Sequence, residues 1–415
     1  MLASAAHPDR KTLGHPAVAS LMIRLGSSMA VALWAALVSV APAAADGSIW
    51  REGAELVRAG ELRAGIAALE RAVTLTPAAT GPRLDLGLAH YLDGNDAAAR
   101  HHLEAALAGA LQPRDRAVAQ AALRRIEARR VWQTSVRFAL IPQSNAARRP
   151  ADREVTIAGL PFLLDQAAEP STGAAFGLAV SGGPMLRPGL KLHMMLALDG
   201  ALYEESVLND YTLRAEAGVL RIEAARRWGG GVQAAHRWLG NRGYSREAGV
   251  YATLMLQPED GRRHEVRADL LHRTVPQLPS RDAWVGRVSA VTLRAISPRT
   301  VLIGRAHVSR TEARRASESG WIVGGGVGAI RLFDGGWRAG IDLRLLREVR
   351  DGAAPVFGQR RAETEGAVRV HLLNRNLSWR GFAPQIALEV EQRRSDIALF
   401  NYTNRSVSLG LSRTF

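Results

Sequence analysis

Leu190-Lys191-Leu192-His193-Met194-Met195-Leu196-Ala197-Leu198 is the stretch that decides the fold. In an extended chain Leu190, Leu192, Met194, Leu196 and Leu198 share one face, while Lys191, His193, Met195 and Ala197 share the other, wetter one. The same period of two recurs downstream. Tyr211, Leu213, Ala215, Ala217 and Val219 oppose Thr212, Arg214 and Glu216; Val266, Ala268 and Leu270 oppose Arg267 and Asp269. Val368, Val370 and Leu372 oppose Arg369 and His371, and Ile386, Leu388 and Val390 oppose Ala387, Glu389 and Glu391. The runs are about 10 to 14 residues long, against roughly 5 to 6 for a globular strand. Pro258-Glu259-Asp260-Gly261, Asp334-Gly335-Gly336 and Asp351-Gly352-Ala353 read as the turns between such runs.

From Trp132 onward this pattern predicts about 14 strands, with 12 and 16 as alternatives, because single-chain bacterial barrels close on even numbers. Trp132, Trp228, Trp238, Trp284, Trp321, Trp337 and Trp379 fall near predicted strand ends. Interfacial girdles of a membrane barrel place rings there, whereas a soluble sandwich hides tryptophan in its core. The expected fold is α+β and multidomain, a short helical domain (residues 46–130) followed by an antiparallel transmembrane β-barrel (residues 131–415).

Upstream of Trp132 the period is helical. Gly53, Gly60, Leu69 and Ala72 recur 34 residues later as Gly87, Gly94, Leu103 and Ala106, with Pro77 and Pro113 closing the two units. That spacing resembles the tetratricopeptide (TPR) repeat. Gly53 and Gly87 let two helices approach closely, Gly60 and Gly94 sit in the turns, and the prolines stop the second helices. Helices are expected near 49–58, 62–75, 82–92 and 97–110. A fifth runs from Asp115 to Arg130, with Val118, Ala122 and Ile126 on its apolar face. Two repeats leave faces uncovered, so the array leans on that fifth helix and on the chain beyond it.

Met22-Ile23-Arg24, the apolar run Met29 to Val40 and the small residues Ala43-Ala44-Ala45 read as a secretory leader over residues 22–45. Met1 and Met22 are both possible starts. The apolar run falls short of the 18 to 20 or so residues of a membrane-spanning helix. With no cysteine, the chain has no disulfide, thiolate metal site, cysteine nucleophile or lipidated cysteine. Lys+Arg 54 against Asp+Glu 39 gives a net charge of +15, nearly all of it arginine. Such a charge suits lipid phosphates or an acidic client; spread along the chain as it is, it does not suit nucleic acid.

Catalysis finds no support. His193, His236, His264, His272, His307 and His371 fall on strands without a legible serine partner, and no Gly-x-Ser-x-Gly elbow occurs. Gly324-Gly325-Gly326-Val327-Gly328 lies inside a strand, where it relieves crowding or bends the sheet, and nothing after it makes a phosphate loop. His101 and Glu104 stand one helical turn apart without a third ligand. No catalytic, cofactor-binding or metal-ligating residue is therefore expected.

Phe138-Ala139-Leu140-Ile141-Pro142-Gln143-Ser144-Asn145 ends the first predicted strand. Arg394-Ser395-Asp396-Ile397, Phe400-Asn401-Tyr402 and the closing Leu409-Gly410-Leu411-Ser412-Arg413-Thr414-Phe415 make the last hairpin. The first is similar to the Pro-x-Ser-Asn entry to the barrel, and the second to the last hairpin, of the surface lipoprotein assembly modulator (Slam) family. The motif positions are Pro142, Ser144, Asn145, Ser395, Tyr402 and Phe415. Alternating apolar residues ending on Phe415 also resemble the signal read by the barrel-assembly machinery. The resemblance implies an outer-membrane translocation factor with its helical domain in the periplasm. It would export client proteins, either surface lipoproteins or soluble haem- and metal-acquisition proteins. Its expected partners are the client, outer-membrane lipid, periplasmic chaperones and the assembly machinery. The alternative is a TPR-coupled polysaccharide-export porin, against which the presence of only two repeats argues.

Overall fold

The computed structural model describes residues 47–415 apart from 108, 130, 152, 158, 159, 166, 224, 259, 260, 334, 335, 375, 376, 378–381 and 415. The expected leader, Trp379 and Phe415 lie outside the described residues. Five helices come first: α1 (Gly47–Arg58), α2 (Leu62–Leu75), α3 (Thr80–Leu92), α4 (Asp96–Leu107) and α5 (Pro113–Arg129). A Cβ built on Gly53 would stand 2.8 Å from Leu69 Cγ, and one on Gly87 2.8 Å from Leu103 Cγ. Each helix pair thus meets at a glycine. Gly60 and Gly94 take φ of +86° and +78°, where glycine carries no steric penalty. Equivalent bonds, Glu61 N–H to Leu56 O and Asn95 N–H to His90 O, both 2.9 Å, close α1 and α3.

Leu69, Leu86 and Ala89 form one small core; Leu84, Ala99, Leu103, Ala106, Ala119, Ala122 and Ile126 form another. Two details differ from the sequence reading. The buried stripe of α5 begins at Ala119, leaving Val118 42% exposed. Pro113 opens α5, at a position where its missing N–H has no helical partner to lose. Pro77 keeps a structural task, its carbonyl accepting from Arg83 Nε and Nη2 at 3.0 and 2.8 Å.

Beyond Val131 the chain winds into a barrel. Its strands are β1 (Trp132–Gln143), β2 (Ser171–Gly182), β3 (Leu190–Tyr203), β4 (Asp210–Ile222), β5 (Arg226–Leu239), β6 (Arg242–Leu256) and β7 (Arg262–Thr274). They continue as β8 (Ala283–Ser297), β9 (Thr300–Ala313), β10 (Gly320–Leu332), β11 (Trp337–Ala353), β12 (Arg360–Asn374), β13 (Ala383–Ser395) and β14 (Tyr402–Thr414). Neighbours pair antiparallel in chain order and β14 returns to β1, so 14 strands close the sheet. A closed sheet leaves no unpaired edge in lipid, which an open sheet would. A short hairpin, Glu154–Ile157 with Leu160–Leu163, occupies the loop after β1, and Met185–Arg187 pairs beside β3.

The chain enters at Trp132 and leaves at Thr414 on the same end of the barrel, the entry end. There the turns are mostly short; the longest connection, residues 144–170, is at the far end. Several far-end connections are tied by a side chain just before the next strand. Asn209 Oδ1 accepts from Tyr203 N–H (2.6 Å), Asp282 Oδ1 from Val275 N–H (2.8 Å), Ser319 Oγ from Ala313 N–H (2.9 Å) and Asn401 Oδ1 from Ser395 N–H (2.6 Å). The expected turn at Asp351-Gly352-Ala353 instead prolongs β11. The N–H groups of Asp351 and Gly352 donate to Ser319 O and Ala316 O, each at 3.0 Å, which holds that backbone against the neighbouring connection.

Tryptophans mark both rims. Trp132, Trp228 and Trp337 stand at the entry end and Trp238, Trp284 and Trp321 at the far end. Between them, exposed apolar side chains such as Leu140, Leu178, Leu196, Val232, Leu270, Val323, Leu343 and Leu388 face outward, as the period of two requires. Among the described residues no helix is long and apolar enough to cross a membrane.

Candidate functional site: the lumen and the closing strands

The same alternation turns the polar residues inward, and strand register decides which of them meet. Arg267 on β7 is a hub. It donates to Glu216 on β4 at 2.9 and 3.2 Å, to Asp269 at 2.9 Å and to Gln233 on β5 at 3.1 Å, and its guanidinium lies 4.4 Å from the centroid of the Tyr251 ring. His193 on β3 adds a contact to Glu216 at 3.7 Å. Arg287 on β8 reaches Glu247 on β6 at 3.5 Å, and Arg305 on β9 reaches Asp342 on β11 at 2.7 Å.

The last pair spans β10, and the glycine run explains how. A Cβ on Gly328 would stand 2.5 Å from Asp342 Oδ1, and one on Gly324 2.2 Å from Leu346 Cδ2. The strand between the charges is stripped of side chains so that they can meet. Further round, Arg369 pairs with Glu389 (3.5 Å), while Arg344 and Arg393 both engage Glu365 (3.2 and 2.6 Å). Over β14, β1 and β2 the lining changes: Ser406, Ser408, Gly410 and Ser412, then Ser135 and Ala139, then Gly173, Ala175, Gly177 and Ala179, with Arg137 the one charge among these positions. A cavity of about 1140 Å³ lies between the two arcs, with Arg305, Asp342, Arg369 and Glu389 on one side and Ser135 and Ser412 on the other.

The motif positions at the two ends of the barrel sequence come together at the far end. Pro142 lies at the end of β1 and Ser144 just beyond it, and the β1–β14 pairing runs unbroken from Ser135↔Thr414 to Leu140↔Leu409, then skips Ile141 and Pro142 before Gln143↔Ser406. Proline has no N–H to give to that ladder. Ser144 makes good the gap: its N–H donates to Arg405 O and its Oγ accepts from Arg405 N–H, both at 2.9 Å. Asn145 is 1% exposed. Its Nδ2 donates to Arg149 O (2.7 Å) and Thr403 O (3.2 Å), its Oδ1 accepts from Arg149 N–H (2.9 Å), and its own N–H donates to Asn404 Oδ1 (3.0 Å).

Tyr402 opens β14, its hydroxyl on Glu391 and, at 3.2 Å, on Glu365, with Arg393 over its ring at 5.2 Å. Ser395 is capped by Asn401. Ser144 and Asn145 therefore clasp the end of the first strand to the last, while Ser395 and Tyr402 bond to the elements on the other side of β14 at the same rim. The repeat positions Gly53, Gly60, Ala72, Pro77, Gly87, Gly94 and Ala106 serve packing and turns in the helices.

The strand histidines divide by parity. His193, His307 and His371 face the lumen; His236 and His272 lie against Trp238 and Trp284, with ring centroids 4.1 and 5.1 Å apart, and His264 meets Thr292 Oγ1 at 3.1 Å. His101 packs edge-on against His102 with centroids 4.9 Å apart. Among the described residues no three His, Asp or Glu side chains form a group able to hold a metal ion. Sequence reasoning missed the Arg267 hub and the Arg305–Asp342 pair. Both residues carried the signal of parity and charge, but the partners stand two or three strands away and only register brings them together.

Residues 132–415 match the family model described as surface lipoprotein assembly modifier. No curated protein matches the chain. Solved structures similar to it include a bacterial polysaccharide outer membrane secretin, 10% identical over 68% of this chain and 98% of that one, TM-score 0.37. The outer membrane channel DcaP of Acinetobacter baumannii is 9% identical over 68% of this chain and 96% of that one, TM-score 0.41. The CymD monoaromatic hydrocarbon channel is 7% identical over 74% and 93%, TM-score 0.41.

Proposed function

The chain belongs to the surface lipoprotein assembly modifier family through its barrel, residues 132–415, and on that premise we propose that it carries client lipoproteins across the outer membrane to the cell surface. Family and fold are those of an outer-membrane assembly barrel, with its work in surface lipoprotein assembly and not in a known class of enzyme. The observation that carries the finer reading is the lumen. Fourteen strands about 4.8 Å apart, tilted about 40°, enclose a cylinder roughly 28 Å across between opposite Cα atoms, less the side chains on both walls. A folded domain of about 100 residues has a radius of gyration near 13 Å and does not fit within that lining. An extended polypeptide does, and the ion-paired arc facing a smooth arc of serine, glycine and alanine offers it both water and slip.

The helices precede the barrel at its entry end and stand in the periplasm, where they receive the client in an unfolded or lipidated state. The far-end connections then face the exterior. The carrying step is binding and gating, with no covalent chemistry. Deleting the gene and treating intact cells with protease tests this. Restored wild type returns a protease-sensitive lipoprotein to the surface, and a variant with Arg305→Glu and Arg369→Glu returns less. Unchanged surface lipoproteins in the deletion strain would overturn the reading.

A further inference from the structure

Many lumen arginines meet carboxylates, as Arg267, Arg287, Arg305 and Arg369 do; two arginines on the outer wall at the far end do not. On the row joining β10 to β13, Val323 pairs with Arg347, Arg347 with Thr364, and Thr364 with Arg394. All four positions have outward parity, and Arg347 and Arg394 are exposed. Arg347 lies between Leu345 and Val349 on its own strand, within the apolar surface bounded by Trp321 on the next. Its Nη1 donates to Thr364 Oγ1 at 2.8 Å, and among the described residues neither it nor Arg394 is ion-paired to a carboxylate. The neighbouring outward arginine shows the contrast. Arg310 sits 5.4 Å from the Trp321 ring centroid and is neutralised by Asp351 at 2.6 Å.

An unneutralised guanidinium on the lipid face of a barrel is unfavourable unless the surroundings supply an anion. Arg347 and Arg394 stand two strands apart, about 10 Å between Cα atoms, with a threonine hydroxyl between them. Just below them toward the mid-plane the wall is hollowed. A groove of about 580 Å³ is lined by Val323, Gly324, Gly325, Leu345, Arg347 and Thr364. A Cβ on Gly325 would meet only the Arg305 carbonyl within 4 Å, at 2.9 Å, so the floor of the groove is bare backbone. A cationic head above an apolar trough matches one chemistry, a phosphate carrying acyl chains. We propose that Arg347, Thr364 and Arg394 with the Gly325 groove bind one phosphorylated acyl lipid of the surrounding leaflet. The phosphate takes charge-assisted bonds from both guanidinium groups, and an acyl chain lies along Gly325.

The test uses the full-length protein, purified in detergent and stripped of lipid, with diphosphoryl lipid A as probe. Native mass spectrometry reads bound lipid, and the unfolding temperature reads its effect. Wild type retains the lipid and melts higher with it. A variant with Arg347→Leu and Arg394→Leu retains at least about tenfold less, the loss expected from even one of the two charge-assisted bonds it removes. Gly325→Leu weakens lipid A while leaving the response to inorganic phosphate unchanged, and Arg310→Leu changes neither. Arg347→Gln with Arg394→Gln replaces the leucine pair should that variant not insert. Equal retention by the double variant overturns the site. So does equal binding of the same lipid without phosphates, or a full melting shift from inorganic phosphate alone, which would leave no role for the groove.

Discussion

Replacing Asn145 with alanine strikes the clasp at its buried centre. Three side-chain hydrogen bonds disappear, two donated by Nδ2 to Arg149 O and Thr403 O and one accepted from Arg149 N–H. A typical net value of about 0.5 to 1.5 kcal/mol per bond gives about 2 to 4 kcal/mol for the set. At 1% exposure, water does not readily replace the lost partners, which favours the upper half of that range. The loss is local, since the rest of the barrel ladder survives. It appears as release of the 144–170 connection and the start of β14. Limited proteolysis of the protein in micelles measures it, with cutting within 146–170 accelerated roughly thirtyfold or more if cleavage follows the open population. Asn145→Asp is at least as damaging, because carboxylate oxygens then face the two carbonyls. Cleavage and unfolding midpoints of Asn145→Ala within about 0.5 kcal/mol of wild type would refute the reasoning.

Arg267→Ala leaves Glu216 and Asp269 facing each other; a cost of about 2 kcal/mol is expected in denaturant unfolding, below the dry-interior range because the lumen admits water. Gly328→Val drives a side chain into Asp342 and separates it from Arg305; a lower unfolding midpoint and altered channel ion selectivity are expected, and an unchanged selectivity would count against the pair lining the passage. Gly87→Ala meets Leu103 at 2.8 Å and lowers the helical transition by about 1 to 3 kcal/mol, read by helical ellipticity of the whole protein. Burial holds the His90 imidazole below its ordinary value of 6.5 despite Glu70 3.9 Å away. The unfolded chain protonates first, so this contribution is present above pH 6.5 and lost as pH falls through the lower folded value. His90→Gln should flatten the helical melting temperature between pH 7.5 and 5.5.

The barrel was legible because one period, apolar out and polar in, is imposed on every strand by lipid on one side and water on the other. Leu190 to Leu198 shows both solvents in nine residues. The repeat was legible for a different reason: Gly53 and Gly87 do the same steric work one unit apart, so the same residue recurs. The turn at Asp351 was misplaced because a bond from a distant connection, Ser319, overrides the local preference of Asp-Gly. The clasp was visible only as two short motifs. That Asn145 and Thr403 touch is a result of closure, and closure is a property of all the strands together. The partners of Arg267 were hidden for the same reason, as an alternating pattern gives each side chain its face but not its neighbours.

The ion pairs described for the lumen run around the wall; some join neighbouring strands, and three strap a strand to one two or three places away. Arg267 straps β7 to β4, Arg287 straps β8 to β6, and Arg305 straps β9 to β11. They act like hoops on a cask, but the hoops stop short of β14, β1 and β2, which are held by their ladder and by the rim clasp. Any sideways load inside the tube is therefore carried unequally. The strapped arc resists bending, and the bare staves take up the strain.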